Sequence, residues 1–188
     1  MQNNKKQEKH TKLSIFISLI LRHKPDVVGL CLNSEGWLNV NDLIEAINNK
    51  SEYRITREIL DEIVETDNKG RYSYNSDKTL IRANQGHSIK GINVEMKECR
   101  PPKILYHGTS VKNALSIKEF GCIKSMSRLH VHLSSDYDTA LNIGKRHGEP
   151  TVLTINAEAM YKDGYKFYIS TNGVWLTNSI PFDKYVIK

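Results

Sequence analysis

The stretch Arg71-Tyr-Ser-Tyr-Asn-Ser-Asp-Lys-Thr-Leu-Ile-Arg82 decides the fold of the first half of the chain. Two short runs of strand-forming residues, 71–74 and 79–82, flank the turn-forming run Asn75-Ser76-Asp77-Lys78, and this pattern predicts a β-hairpin. Three helical patterns precede the hairpin along the chain. Three helices followed by a hairpin are the outline of a winged helix, a module that often binds nucleic acid.

The helices before the hairpin are predicted from their end signals and their apolar faces. Thr56 is placed to cap the third helix, with Ile55 and Leu60 as a hydrophobic staple. Asp42 and Glu45 resemble a capping box at the start of the second helix. The first helix has the spacing of a helix with one buried face, made of Leu13, Phe16, Ile17, Ile20 and Leu21.

The first ten residues are almost wholly polar and rich in lysine. A segment of this composition buries too little apolar surface to offset the entropy lost on folding. We therefore predict a disordered basic arm over residues 1–10, with the first helix beginning near Thr11 as its N-cap.

The pattern changes between Ile89 and Pro102, where polar and charged residues end in two prolines. We place the interdomain linker there and predict two domains, residues 11–95 and 96–188. In the second domain a strand at 104–106 leads into a helix over about 110–120 that Gly121 closes. Further strands are predicted at 151–156 and on both sides of Asn172-Gly173, so the chain is predicted to be α+β.

Charge and cysteine content narrow the class of protein. Lysine and arginine outnumber aspartate and glutamate by 27 to 21, which favours a polyanionic partner but does not identify one. The three cysteines are widely spaced, so no disulfide framework or Cys-x-x-Cys site is indicated, and a reducing cytoplasm is expected. The longest apolar run, 13–21, is too short for a membrane span, and we expect no membrane partner.

Arg128-Leu-His130-Val-His132-Leu-Ser134 is the strongest local candidate for a functional site. Alternation along a strand would project a guanidinium, two imidazoles and a hydroxyl to one side. A solvated strand surface explains the same pattern. A His-x-His metal site is the other alternative, but no third ligand stands at a recognisable spacing, so we expect no metal.

Three shorter motifs carry polar side chains suited to a ligand. Tyr106-His107-Gly108-Thr109 ends a strand, and its glycine permits close approach of a ligand to the backbone. Arg82-Ala-Asn-Gln-Gly-His87-Ser88 has the composition of a loop that holds phosphate or ribose. Arg22-His23 ends a helix, where the helix dipole favours cations. Each of the three is also compatible with an ordinary turn, loop or helix end.

Taken together and in order, the motifs resemble those of the RNA 2′-phosphotransferases of the KptA type. The resemblance runs from about Leu13 to Lys188. It is carried by Leu21-Arg22-His23-Lys24-Pro25, Arg82-Ala-Asn-Gln-Gly-His87-Ser88, Tyr106-His107-Gly108-Thr109, Arg128-Leu-His-Val-His132-Leu-Ser134 and Asn172-Gly173-Val174-Trp175-Leu176-Thr177.

The resemblance implies a fold and a reaction. It implies a winged-helix RNA-binding lobe over residues 11–95 and an NAD-binding lobe with the ADP-ribosyltransferase fold over residues 96–188. Enzymes of this family use NAD as a co-substrate, act on RNA that carries an internal 2′-phosphate, as on tRNA during tRNA splicing, and need no metal. The phosphate displaces nicotinamide to give a 2′-phospho-ADP-ribosylated RNA. The ribose 2″-hydroxyl then attacks the phosphorus, which releases 2′-hydroxyl RNA and ADP-ribose 1″,2″-cyclic phosphate.

The resemblance also implies roles for single residues. The catalytic set would be Arg22, His23, Arg82 and Arg128, in which the arginines hold the 2′-phosphate and His23 serves as acid or base in the second step. The NAD contacts would be His107, Gly108, Thr109, His132, Ser134 and Val174. Residues 170–177 contain no carboxylate, whereas protein-directed ADP-ribosyltransferases often carry a catalytic Glu on the corresponding strand. A 2′-phosphate is already anionic and needs no base to deprotonate it.

Two other functions remain compatible with the sequence. One is ADP-ribosylation of terminal phosphates on RNA or DNA, which uses the first step alone. The other is a winged-helix regulator whose second lobe senses NAD. Against the regulator, the arginines of the motifs fall in both halves of the chain, and no dimerisation helix is apparent. We expect a monomer.

Overall fold

The structure is a computed structural model that describes residues 2–94 and 96–187, apart from the side chains of residues 2–7 and 9. The chain divides into two compact units, residues 1–95 and 96–188. Both units combine helices with small antiparallel sheets, which confirms the predicted α+β class. No helix in the described part of the chain combines the length and apolar character required to cross a lipid bilayer.

Over its described residues, the first unit is built from three α-helices and one three-stranded sheet. Its elements are α1 Gln2–Arg22, a 3₁₀ turn Pro25–Val28, β1 Trp37–Asn39, α2 Val40–Lys50, α3 Arg57–Glu65, β2 Tyr72–Tyr74 and β3 Leu80–Ala83. The sheet has the strand order β1-β3-β2 with antiparallel pairing throughout, so the predicted hairpin forms its β2-β3 half.

The first helix is longer than its apolar pattern predicted. It begins at Gln2, so the backbone contradicts the disordered arm predicted over residues 1–10, and Met1 lies outside the described residues. Gln, Lys and Glu have favourable helix propensities, and no Gly or Pro interrupts the run. Glu8 also pairs with Lys12 one turn later at 2.9 Å. These local preferences extend the helix beyond its buried face.

The N-caps of the other two helices test the predicted end signals. Thr56 caps α3 by accepting a hydrogen bond from the Ile59 N–H at 3.4 Å, as predicted. The capping box at the start of α2 is wrong, because the Asn39 side chain accepts the bonds from the first turn. Asn39 is the last residue of β1, and its extended backbone leads directly from the strand into the helix.

One face of the sheet contributes to the core of the first unit. Leu38, Ile81 and Tyr74 form a row across β1, β3 and β2, and this core row packs with the buried faces of the helices. Because successive side chains of a strand alternate between faces, the neighbouring residues of all three strands point to the opposite face. The register therefore determines which side chains of the hairpin are available to a ligand.

The second unit contains three small antiparallel sheets. Their strand orders are β4-β9-β10-β7, β12-β8-β5 and β11-β6, and a bridge between Tyr106 and Ser134 joins the first two sheets. Its elements are β4 Lys97–Glu98, β5 Ile104–Ser110, α4 Val111–Phe120, β6 Cys122–Lys124, β7 Val131–Leu133, α5 Tyr137–Gly144, a 3₁₀ turn Lys145–His147, β8 Pro150–Asn156, α6 Ala157–Lys162, β9 Tyr168–Ile169, β10 Trp175–Thr177, β11 Ser179–Pro181, α7 Phe182–Tyr185 and β12 Val186–Ile187.

Most predicted elements of this unit are confirmed. The helix after β5 is capped by Ser110 and closed by Gly121 with a φ of 74°. The strands at 151–156 and on both sides of Asn172-Gly173 are present. The strand predicted at 104–106 continues to Ser110, because β8 pairs with it along its whole length.

Candidate active site

The end of α1 and the loop after β3 are joined by Ser88. Its backbone N–H donates to the Arg22 carbonyl oxygen at 2.9 Å, and its hydroxyl forms a hydrogen bond with His23 Nδ1 at 2.9 Å. His23 and Ser88 are 65 residues apart in sequence. Gly86 in the same loop has a φ of +89°, and a Cβ there would lie 3.7 Å from Arg22 Cδ. The Arg22-His23 and Arg82–Ser88 motifs therefore form one cluster.

Arg82 lies on the face of the sheet opposite the core row. Its cross-strand neighbours are Trp37 on β1 and Ser73 on β2, and we refer to Trp37, Arg82 and Ser73 as the arginine row. The guanidinium carbon of Arg82 lies 4.3 Å from the centroid of the Trp37 ring. At this distance the cation is attracted to the face of the indole.

His87 is buried beside these cations, with 3% of its surface exposed. Its imidazole packs on Gly36, whose φ of +80° suits glycine and where a Cβ would lie 3.2 Å from His87 Nε2. Burial and the positive charges of Arg22, His23 and Arg82 lower the pKa of His87 to about 4. His87 is therefore neutral at physiological pH.

Three arginines in the described part of the chain pair with a carboxylate. Arg57 pairs with Asp61 at 3.1 Å, Arg71 with Asp67, and Arg100 with Glu158 at 3.1 Å. Within residues 2–94 and 96–187, by contrast, no carboxylate lies at salt-bridge distance from Arg82 or Arg128. A guanidinium that is not neutralised internally is available to an anionic ligand.

In the second unit Arg128 lies in a turn rather than on a strand. The Arg128 N–H donates to the Ser125 carbonyl oxygen at 3.0 Å, and Met126 between them has a φ of 54°. β7 begins only at Val131, so the strand predicted over 128–134 is wrong for its first three residues. Because of the tight turn after β6, β7 begins later in the sequence than predicted. Alternation therefore does not account for the direction of the Arg128 and His130 side chains.

His107 and His132 are held by backbone carbonyl groups. His107 Nδ1 donates to the His132 carbonyl oxygen at 3.1 Å, and His132 Nδ1 donates to the His130 carbonyl oxygen at 3.0 Å. Burial lowers the pKa of His107, and the hydrogen bond to His132 opposes this only in part. Because its Nδ1 carries the proton, the neutral His107 ring presents Nε2 as an acceptor.

Gly108 and Thr109 serve packing within the second unit. A Cβ on Gly108 would lie 1.7 Å from the carbonyl oxygen of Ala140, so the close approach at this glycine is made by α5. Gly144 of the same helix lies over Thr109, where a Cβ would be 2.6 Å from the Thr109 carbonyl oxygen. Thr109 is buried. The side of Gly108 on which a Cβ would stand is therefore filled by α5, and the approach of a ligand to the backbone at Gly108 stays a prediction.

The last predicted residues lie near the ends of β7 and β10. Ser134 follows β7, and its backbone exchanges two hydrogen bonds with Tyr106, at 2.8 and 2.9 Å. Val174 closes the turn between β9 and β10, and its backbone N–H donates to the Ser170 hydroxyl at 3.0 Å. Because β7 and β10 are neighbours in the sheet, His132 lies opposite Leu176.

In the described part of the chain, no three His, Cys, Asp or Glu side chains converge as ligands of a metal ion would.

Sequence reasoning missed Trp37 and gave no role to Ser88. Trp37 lies 45 positions before Arg82, and only the β1-β3 register brings their side chains together. The sequence does not predict that pairing, because β1 is three residues long and too short to show an alternating pattern. Ser88 belonged to a quoted motif, but its bond to His23 depends on the path of the loop.

Comparison with known proteins identifies a family similarity over most of the chain. Residues 8–179 match the sequence model of the family described as "RNA 2′-phosphotransferase, Tpt1 / KptA family". A "Probable RNA 2′-phosphotransferase" of Fusobacterium nucleatum is 57% identical over 171 residues, which cover 90% of this chain and 94% of that protein.

Two further relatives carry the same description. The protein of Flavobacterium johnsoniae is 49% identical over 174 residues, with 93% of both chains covered. The protein of Nostoc punctiforme is 48% identical over 170 residues, with 90% of this chain and 92% of that protein covered. The similarity therefore extends through both units.

Proposed function

We propose that this chain, which belongs to the Tpt1/KptA family of RNA 2′-phosphotransferases, removes an internal 2′-phosphate from RNA with NAD as co-substrate. Family membership supports the transferase activity on RNA. To this activity we add the NAD dependence, the two-step route and the residues that carry each step. The products are 2′-hydroxyl RNA, nicotinamide and ADP-ribose 1″,2″-cyclic phosphate.

The observation that supports this proposal most directly is that two motif arginines are not neutralised by a carboxylate in the part of the chain that the structure describes. Arg82 and Arg128 have no carboxylate partner among the described residues, whereas Arg57, Arg71 and Arg100 do. A phosphoryl group needs cationic donors that remain free in the resting protein. We therefore assign Arg82 and Arg128 to the RNA 2′-phosphate. Arg22 is assigned to the same phosphate because its motif lies within the part of the chain that matches the family.

The position of His23 suits a role in proton transfer. Its Nδ1 bonds to the Ser88 hydroxyl at 2.9 Å, which fixes the orientation of the ring, and an imidazole can donate or accept a proton near neutral pH. We assign His23 to the second step, in which a ribose hydroxyl attacks the phosphorus. His23→Ala should then accumulate the 2′-phospho-ADP-ribosylated RNA, and turnover at the wild-type rate without that species would contradict the assignment.

The second unit is proposed to bind NAD. His107, His132 and Ser134 cluster at the bridge between β5 and β7, and Val174 lies next to β10. The neutral His107 offers an acceptor to a ribose hydroxyl. Gly108 and Thr109 support this cluster by packing under α5. We infer that this unit has the ADP-ribosyltransferase fold.

The first unit is proposed to be a winged-helix RNA-binding lobe. Its order of helix, strand, two helices and two strands, with one antiparallel sheet, is compatible with that module. The excess of 27 basic over 21 acidic residues favours a polyanionic substrate. A tRNA-like RNA, a role in tRNA splicing, a cytoplasmic location and a monomeric state belong to the same proposal.

The test uses a short RNA with one internal 2′-phosphate, incubated with the protein in the presence and absence of NAD. We expect 2′-hydroxyl RNA and ADP-ribose 1″,2″-cyclic phosphate only when NAD is present. The same RNA with a 2′-hydroxyl group serves as the control. Removal of the phosphate without NAD would contradict the proposal. A stable ADP-ribosylated RNA, or ADP-ribosylation of a 5′-phosphorylated RNA alone, would instead identify a terminal-phosphate ADP-ribosyltransferase.

A further inference from the structure

We propose that Trp37 is a positioning residue for phosphate transfer, which holds the Arg82 guanidinium group in the plane and orientation needed to bind the substrate phosphate. The inference rests on the proposed function, because Arg82 is there assigned to the 2′-phosphate. It concerns a residue that the sequence motifs do not include.

The first argument is the stacking itself. The Arg82 guanidinium carbon lies 4.3 Å from the centroid of the Trp37 ring. A guanidinium that stacks on an aromatic face keeps its five N–H donors at its edges, where they remain available to an anion. Removing one face of the group from water also restricts the number of rotamers that Arg82 can adopt. The stack therefore limits the side chain to few orientations.

The second argument is that both partners are fixed at the backbone. Trp37 and Arg82 lie directly opposite each other in β1 and β3. The Trp37 N–H donates to the Asn33 side-chain oxygen at 2.8 Å, and the Trp37 carbonyl accepts from the Asn33 N–H at 3.0 Å. These bonds hold the turn that precedes β1. The backbone that carries the indole is thus held in place directly opposite Arg82.

The third argument is that no carboxylate in the described part of the chain competes for the Arg82 cation. Ser73, the other cross-strand neighbour of Arg82, is uncharged. Arg82 Nε is buried and has no hydrogen-bond acceptor among the described residues. A buried donor without an acceptor is costly unless a ligand supplies one. The stack on Trp37 keeps this donor oriented without neutralising the charge.

A matched control exists in the same sheet. Tyr74 of the core row lies under the Arg57 guanidinium, with 5.4 Å between the guanidinium carbon and the ring centroid, but Arg57 is also paired with Asp61. Removing the Tyr74 ring disrupts an arginine–aromatic contact that has no place in the proposed reaction. Tyr74→Leu therefore controls for damage to the sheet.

The kinetic test compares Trp37→Leu, Trp37→Phe and Tyr74→Leu with the wild type on the 2′-phosphorylated RNA. We expect Trp37→Leu to lower kcat about 10- to 100-fold while KM for NAD changes less than about twofold. Trp37→Phe should retain at least about a third of kcat, because an aromatic face remains. Tyr74→Leu should keep kcat within about twofold of the wild type. A folded Trp37→Leu protein with the wild-type kcat, or Trp37→Phe as slow as Trp37→Leu, would overturn the inference.

A binding test separates this inference from the proposed function. The chain has two tryptophans, so Trp175→Phe leaves Trp37 as the only indole. Inorganic phosphate should then change the Trp37 fluorescence, and the additional change Arg82→Gln should abolish that response. If the wild type lacks activity on the RNA but this response is present, the proposed function fails, whereas the positioning of Arg82 by Trp37 for a phosphate ligand stands. No response in the folded Trp175→Phe protein would contradict the inference even if the enzyme is active.

Discussion

The two faces of the three-stranded sheet each hold an arginine beside an aromatic ring, but the two arginines differ in whether a carboxylate neutralises them. On the side of the core row, Arg57 stacks near Tyr74 and is neutralised by Asp61, which also accepts a hydrogen bond from the Tyr74 hydroxyl at 2.7 Å. In the arginine row, Arg82 stacks on Trp37 and has no carboxylate partner in the described part of the chain.

The difference shows what distinguishes a structural arginine from one that can serve a substrate. Aromatic stacking is common to both faces, so stacking alone does not indicate function. The two arginines differ in whether a carboxylate pairs with them. A guanidinium that is paired with a carboxylate has its donors and its charge satisfied inside the protein. A guanidinium without a carboxylate can use its donors and its charge to bind an anion. The following experiments test this contrast, from the largest expected effect to the smallest.

Replacing Arg82 and Arg57 separately should affect different properties of the protein, catalytic activity for Arg82 and stability for Arg57. Arg82→Gln is expected to lower kcat for phosphate transfer by about 10²- to 10³-fold, because a charged donor to the transition state is lost. Arg57→Gln should leave kcat within about threefold of the wild type and lower the free energy of unfolding by about 1 kcal/mol. Steady-state kinetics and urea denaturation measure the two effects. Equal losses of activity in both variants would refute the contrast.

The burial of His87, together with the cations around it, should make the first unit sensitive to acid. Its folded-state pKa of about 4 is below the ordinary value of 6.5, so the unfolded chain takes up the proton first as the pH falls. The contribution of His87 to the free energy of unfolding is therefore constant above about pH 6.5. As the pH falls from about 6.5 to about 4, the free energy of unfolding decreases progressively, by a total of about 3 kcal/mol.

The comparison of wild type with His87→Gln measures this contribution. The pKa of His107 and His130 is also lowered, by burial above all, but both are present in the two proteins and cancel in the difference. Denaturation curves between pH 4 and 7 should show a shallower dependence on pH for the variant. Identical slopes would mean that His87 is not held neutral by its surroundings.

A carboxylate added to the arginine row should convert Arg82 into a structural arginine. Ser73 lies opposite Arg82, so Ser73→Asp places an acid within reach of its guanidinium. We expect about a tenfold loss of kcat, since the phosphate must displace the new partner, with stability raised by a few tenths of a kcal/mol. Ser73→Asn is the uncharged control. Undiminished activity in Ser73→Asp would show that a free Arg82 is unnecessary.

Breaking the Arg57–Asp61 ion pair on the core side of the sheet should have the smallest effect on phosphate transfer. Asp61→Asn weakens the bonds to Arg57 and Tyr74, and we expect the free energy of unfolding to fall by about 1 kcal/mol. Burial and the bond to Asp61 raise the pKa of Tyr74, so the variant should also titrate Tyr74 at a lower pH than the wild type. Phosphate transfer should be unchanged, and a large loss of kcat would place Asp61 in the reaction.

Local signals in the sequence predicted those elements that depend on neighbouring residues. The β2-β3 hairpin, the Thr56 cap and the end of α4 at Gly121 follow from turn chemistry and backbone preference within a few residues. The differences lie where longer-range packing intervened. β7 is shorter than predicted because of the turn at Arg128, and α5 packs against Gly108, which no local pattern in the sequence indicates.

By itself, the sequence determined the α+β class, the order of its motifs and the family, because these reside in residue types and their spacing along the chain. Only the tertiary structure decided the surroundings of each functional group. Strand register places Trp37 against Arg82, and the path of a loop brings Ser88 to His23. Such contacts join residues distant in the chain, so burial, charge pairing and pKa depend on packing that no local pattern specifies.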